Sequence, residues 1–265
     1  DGDVQRACLA SLRRLAVKQV DLYLVQNPRG GRLLETWRAM LRLRDLGLAR
    51  AVGVSNFGPA QLAGLEAAGL ELPELNQVEL HVWWQQPELA EYCAARGIAL
   101  MAYSPLGRAQ FFGRTALRCI AASSGLSEAA VCLRWCLQGG HLAVPKAADP
   151  LHLAENFAAW AAPDQPLEEE ALRRLAGLGA LQWRACAASR AQELPWEDLA
   201  GDLPPEERRP DRDEELPDAT GIRSSCASPD QSSFYRPDPR GSSMCGRWRM
   251  VAAGSSAEKE AFGER

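Results

Sequence analysis

The apolar runs of this chain stop on polar or aromatic residues again and again. Gln26-Asn27 follows Val20–Val25, Ser55-Asn56 follows 49–54, His81 follows 75–80, Tyr103-Ser104 closes 99–103, and Lys146 follows 142–144. Strand ends that face a pocket are where α/β enzymes keep their working side chains. Gln26 poses the sharpest question. Its amide can donate an N–H to a substrate carbonyl, yet it is not protonated near neutral pH and cannot carry a proton or follow pH. A substrate-orienting or a vestigial role fits it. Cys132 and Cys136 stand one helical turn apart with His141 nearby. Zinc takes four ligands and a free cysteine is mostly a small buried apolar group, so no metal is expected.

The elements that must position these residues alternate in kind. Apolar residues at helical spacing run over 4–15, and the strand Val20–Val25 follows. Then come a helix over 32–46 stopped by Gly47, a strand over 49–54, a helix over 59–68, a strand over 75–80, a helix over 87–96 and a strand over 99–103. Beyond a loop at 104–114 the spacing predicts helices over 115–123 and 127–138 and a strand over 142–144. Asp149-Pro150 then supplies an N-cap and a proline at the first helical position, opening a helix over 150–160, and a last helix spans 167–178. Strands separated by crossover helices must be parallel, so the class is α/β. No G-x-G-x-x-G follows the first strand, which argues against a doubly wound sheet. Polar strand ends fit a (β/α)8 barrel better, but five strands cannot close one. The expected fold is therefore a partial TIM (β/α)8 barrel of about five parallel strands, lacking the first three βα units.

That body is expected over 1–190. Of the seventeen prolines, eight fall in 195–265, beside charge-rich and serine-rich stretches with no apolar period. Such a segment cannot bury enough surface to offset its ordering entropy, so 191–265 is read as a disordered tail. A formal net charge of -4 gives no reason to expect nucleic acid or anionic lipid as a partner. No apolar run approaches the ~18 residues of a membrane span. The chain opens on Asp1 with no signal-peptide pattern, as a trimmed or partial chain would. Eight scattered cysteines without a C-x-x-C pair suit a reducing, cytoplasmic compartment.

Five motifs in order, VDLYLVQNP, AVGVSNF, NQVELH, MAYSPLG and VPKAADPLHLAENF, resemble the aldo-keto reductase family over about residues 4–185. The resemblance implies reduction of a small aldehyde or ketone with NADPH lying across the strand ends. It implies that Ser55, Asn56 and Gln77 hold the nicotinamide carboxamide and that Tyr103 stacks on the ring. Ser104 and Leu106 match backbone contacts to the pyrophosphate, with Gly107 allowing close approach. Lys146 matches the lysine that pairs with the 2′-phosphate, and Glu155 and Asn156 match adenine contacts. The Ser-Asn pair would also suit capping of the helix near Pro59, and Trp83 and Trp84 suit either a pocket mouth or a packed loop.

The chain also departs from the pattern. Ala147, Asp149 and His152 stand where the family has serine, threonine and arginine. Imidazole lacks the permanent charge and bidentate fork of arginine, and Asp149 repels a phosphate, so NADPH preference is expected to fall toward parity with NADH. The family's catalytic tyrosine, lysine and aspartate belong before residue 1, and its catalytic histidine is replaced by Gln26. Little or no reductase activity is expected of the chain alone. The competing expectations are a non-catalytic nucleotide-binding or ancillary protein and a truncated gene product. An open barrel edge would favour self-association.

Overall fold

The computed structural model describes residues 2–29, 31–161, 165–194 and 196. Of the tail read over 191–265, residues 191–194 and Trp196 are described and the rest lies outside these residues. Strands β1 (Val20–Val25), β2 (Ala49–Ser55), β3 (Leu75–Glu79), β4 (Ala99–Tyr103) and β5 (Leu142–Val144) form one sheet in the order β1-β2-β3-β4-β5. All four neighbouring pairs are parallel. The order never reverses, so the sheet has no switch point of the doubly wound kind. Parallel crossovers are right-handed almost without exception, and in this strand order that rule puts the connecting helices on one face, as in a barrel.

The helices are α1 (Gly2–Leu15), α2 (Leu33–Asp45), α3 (Pro59–Ala67), α4 (Pro87–Ala95), α5 (Thr115–Ser123), α6 (Glu128–Gln138), α7 (Pro150–Ala161) and α8 (Glu169–Leu178). Their bounds follow local chemistry. The Ser127 hydroxyl accepts the Ala130 N–H at the start of α6. Asp149 Oδ1 accepts the Leu151 N–H at 2.7 Å to open α7. Pro59 begins α3 and Pro87 begins α4, where a missing N–H costs nothing.

Two apolar bodies hold the fold. Trp37, Met40 and Leu43 on α2 join Val52 and Val54 on β2 and Leu62 and Leu65 on α3. Leu117, Ile120, Val131, Leu175 and Trp83 form the second body around α5, α6 and α8. Each such side chain contributes about 1.5–3 kcal/mol on burial. The centre of β2 admits no side chain at Gly53. A Cβ there would lie 2.5 Å from the Leu75 carbonyl oxygen and 2.7 Å from Leu24 Cδ2.

Trp83 belongs to a packed loop rather than a pocket mouth. It is 2% exposed and stacks on Phe111 at 4.9 Å, and Phe111 meets Trp183 edge-on at 4.8 Å. Beyond α8 the chain continues as a 3-10 segment, Ala187–Glu193, with Ala191 buried. The Gln61 side chain donates to the Ala191 and Leu194 carbonyls. Packing therefore extends past residue 190. No single helix among the described residues is long and apolar enough to cross a membrane.

Candidate nucleotide-binding site

Parallel pairing in order brings the carboxyl ends of β1 to β5 side by side, and Asn56 ties four of the segments there together. It follows β2 with φ +62. Its backbone N–H donates to the Gln77 carbonyl at 2.9 Å. Its side-chain Nδ2 donates to the Gln26 carbonyl at 3.1 Å and to Ser55 Oγ at 3.2 Å. Its Oδ1 accepts from the Tyr103 hydroxyl at 2.8 Å. Ser55 Oγ in turn donates to the Gln77 carbonyl at 2.8 Å. Asn tolerates a left-handed backbone better than other non-glycine residues, which suits it to this turn.

Ser55, Asn56, Gln77 and Tyr103 thus form one hydrogen-bonded group at the end of the sheet. Ser55 and Asn56 are buried. Among the described residues the Gln77 amide N–H₂ meets only the Met101 sulfur, at 3.1 Å, and a thioether is a weak acceptor. Burial pushes the Tyr103 hydroxyl well above the ordinary tyrosine value; Glu79 and Cys186 reinforce the shift, while Arg108 and Arg184 oppose it. Tyr103 therefore stays a neutral donor.

Gln26 stands at the same end of β1, and its side chain is exposed. Its backbone carbonyl is the part that joins the group, through Asn56. After Tyr103 the chain turns through Ser104 (φ +50) and Gly107 (φ +53). A Cβ on Gly107 would lie 2.6 Å from Trp83 Cζ3, so the turn needs glycine for space as well as conformation. Leu106 is half-buried there.

The second set of residues lies apart. Lys146 and His152 are exposed, Glu155 is half-buried and Asn156 is 9% exposed. They follow β5 and lie along the first half of α7. No hydrogen bond among the described residues links them to the Asn56 group. Asp149 is committed to the first turn of α7 through Leu151. Cys132 and Cys136 are core residues; burial raises both thiols, Cys136 to about 12. No group of three metal-ligating side chains occurs among the described residues.

Sequence reasoning did not single out Glu79. It is 0% exposed, as is His81, and its carboxylate meets His81 Nε2 at 3.0 Å. The same carboxylate accepts the N–H groups of Ala185 and Cys186. A buried carboxylate thereby fastens the segment after α8 to the end of β3. The available signal was alternation: Gln77, Glu79 and His81 fall at period two in LNQVELH, so a charge shares the face of a site residue.

A model of the Aldo/keto reductase family matches residues 1–178, and the chain belongs to that family. It is 37% identical over 191 residues to aldo-keto reductase family 4 member C11 of Arabidopsis thaliana, covering 63% of this chain and 61% of that protein. It is 37% identical over 164 residues to the 9,11-endoperoxide prostaglandin H2 reductase of Trypanosoma cruzi, covering 61% of this chain and 57% of that protein. A crystal structure of a Bombyx mori aldo-keto reductase in complex with NADP superposes with a TM-score of 0.64 at 29% identity, over 72% of this chain and 67% of that one. The chain therefore spans little more than half the length of the curated relatives it matches, with 54% and 62% covered in two further cases. With that likeness, the open parallel sheet is part of a (β/α) barrel.

Proposed function

We propose that this chain carries the nicotinamide-binding portion of an NAD(P)H-dependent oxidoreductase that converts a small carbonyl compound to an alcohol. The observation that supports this best is the group of Ser55, Asn56, Gln77 and Tyr103 at adjoining strand ends. A carboxamide needs a donor and an acceptor together, and Asn and Gln side chains offer both. Tyr103 supplies an aromatic face at the same place, and the chain after it turns tightly enough for a backbone approach. The bound dinucleotide would supply the hydride. The residues of this chain would bind, orient and shield it from water.

At the far end, Lys146 offers a point charge to a 2′-phosphate, with Glu155 and Asn156 near the adenine. Asp149 already occupies the first turn of α7 with a carboxylate, and His152 offers no fixed fork. The reading is thus an NADPH-binding site that also takes NADH, with the two affinities near parity. A fluorescence titration that returned a strong NADPH preference would refute this part. A cytoplasmic setting fits the free cysteines among the described residues.

Gln26 favours a second reading, a non-catalytic nucleotide-binding or ancillary protein. Its exposed amide can orient a carbonyl but cannot relay a proton. The two readings separate on NADPH oxidation with a panel of aldehydes, comparing the chain with its Gln26→His variant. The enzyme reading expects a higher rate in the variant. An unchanged baseline rate in both supports the non-catalytic one.

A further inference from the structure

A cavity of about 490 Å³ opens where α1 ends and β1 and β2 begin. The Asn56 group follows the strands, whereas Lys18 and Leu48 of the cavity precede β1 and β2, so the two lie at opposite ends of the sheet. Leu9, Leu12, Ala16, Val17 and Leu48 make its walls apolar. Leu9, Leu12, Arg13 and Ala16 are three, four and seven residues apart, one stripe along α1 that runs into the turn after it. Leu9 and Val17 remain exposed. Arg13 and Lys18 complete the lining; both are exposed and form no ion pair among the described residues. No carboxylate lines the cavity, and Asp21 at the start of β1 is paired with Arg50.

The turn that forms one wall is unusual for this chain. The Ala16 N–H donates to the Arg13 carbonyl at 3.2 Å and the Val17 N–H to the Leu12 carbonyl at 3.1 Å, with Ala16 left-handed at φ +56. The same pair of bonds closes α2 to α6, and there the left-handed residue is always glycine: Gly47, Gly69, Gly97, Gly125 and Gly140. A Cβ disfavours this conformation, so α1 carries a methyl where glycine would fold more easily. That methyl lines the cavity. Strain of this kind collects at ligand sites, where the side chain has a use beyond the turn.

We propose that this cavity binds a single-chain carboxylate, its alkyl chain against Leu9, Leu12, Ala16 and Val17 and its carboxylate between Arg13 and Lys18. The volume lies within the roughly 300–1,000 Å³ of small-molecule sites. Apolar walls beside two unopposed cations select for a ligand with both parts, an anionic amphiphile. A guanidinium offers its carboxylate paired N–H donors, and the lysine adds a point charge. The site is separate from the nucleotide group and does not depend on it.

The test is calorimetric titration of the full chain with dodecanoate, kept below its aggregation concentration, and with dodecyltrimethylammonium as the cationic counterpart. Dodecanoate should saturate one site, and the cation should not. Arg13→Gln combined with Lys18→Gln is expected to weaken dodecanoate roughly tenfold or more, with an unchanged melting curve because both side chains are exposed. Ala16→Gly separates binding from folding. It should melt no earlier than the unsubstituted chain, since glycine relieves the left-handed turn, yet bind about fourfold more weakly for the lost methyl. NADPH titrations should be unaffected by the substitutions and by dodecanoate. Absence of dodecanoate binding would overturn the proposal. So would similar affinity for the cationic amphiphile, a change within about twofold in the double glutamine variant, or competition between dodecanoate and NADPH.

Discussion

Asn56 joins the ends of β1, β2 and β4, and its replacement tests whether those bonds matter. Asn56→Ala removes both side-chain donors and the acceptor of the Tyr103 hydroxyl in a buried setting. A loss of about 1–3 kcal/mol in urea unfolding is expected, because polar partners are left unmatched. Asn56→Gly separates backbone from side chain. With φ at +62, glycine spares the left-handed cost, so it should unfold about 1 kcal/mol later than the alanine variant. Equal midpoints for the two variants would show that the backbone conformation is not a source of strain. The importance of Ser55, Asn56 and Gln77 was legible in the sequence only as a set of motifs. Their mutual hydrogen bonds were not, since those depend on the register of β2 with β3.

At the scale of elements, the sequence was most informative where chemistry is local. All five strands appear where apolar runs stop on polar residues, and α7 begins at the cap that Asp149 announces. The 3-10 segments at Gly107–Ala109, Gly179–Leu181 and Ala187–Glu193 have no apolar period and left no trace. The Glu79 fastening was equally hidden, because its partners Ala185 and Cys186 lie more than a hundred residues away. It has a direct test. Glu79→Ala should leave His81 and the two N–H groups buried without a partner and release the segment from Trp183 to Leu194. Hydrogen exchange is expected to speed up there, while β1 and β2 remain protected. Uniform exchange rates across the segment in both proteins would remove Glu79 from this role.

For the whole molecule, two properties follow from the burial of its ionisable groups and from its open sheet. Burial raises Cys93 to about 11 and Cys136 to about 12, and raises Cys132 and Tyr103 as well. Each group binds its proton more tightly when folded, so its contribution is complete below the unfolded value, 9.0 for cysteine, and is lost as pH rises toward the folded one. Melting temperature should fall steadily above about pH 9. A flat profile through pH 11 would mean that these thiols reach solvent in the native state.

Among the described residues, no strand pairs with the outer edge of β1 or of β5. Helix α7 also exposes Leu153, Phe157 and Trp160 at spacings of four and three, one continuous stripe. Light scattering of the chain on its own is expected to report self-association. A single monomeric species with a cooperative melt would contradict that.

The nucleotide site is the claim on which the functional reading stands, and titrating the full chain with NADPH while following protein fluorescence tests it most directly. Saturable binding that is lost in Asn56→Ala and retained at a comparable affinity with NADH is the predicted result. No saturation with either dinucleotide, in a chain shown by circular dichroism to be folded, would contradict it.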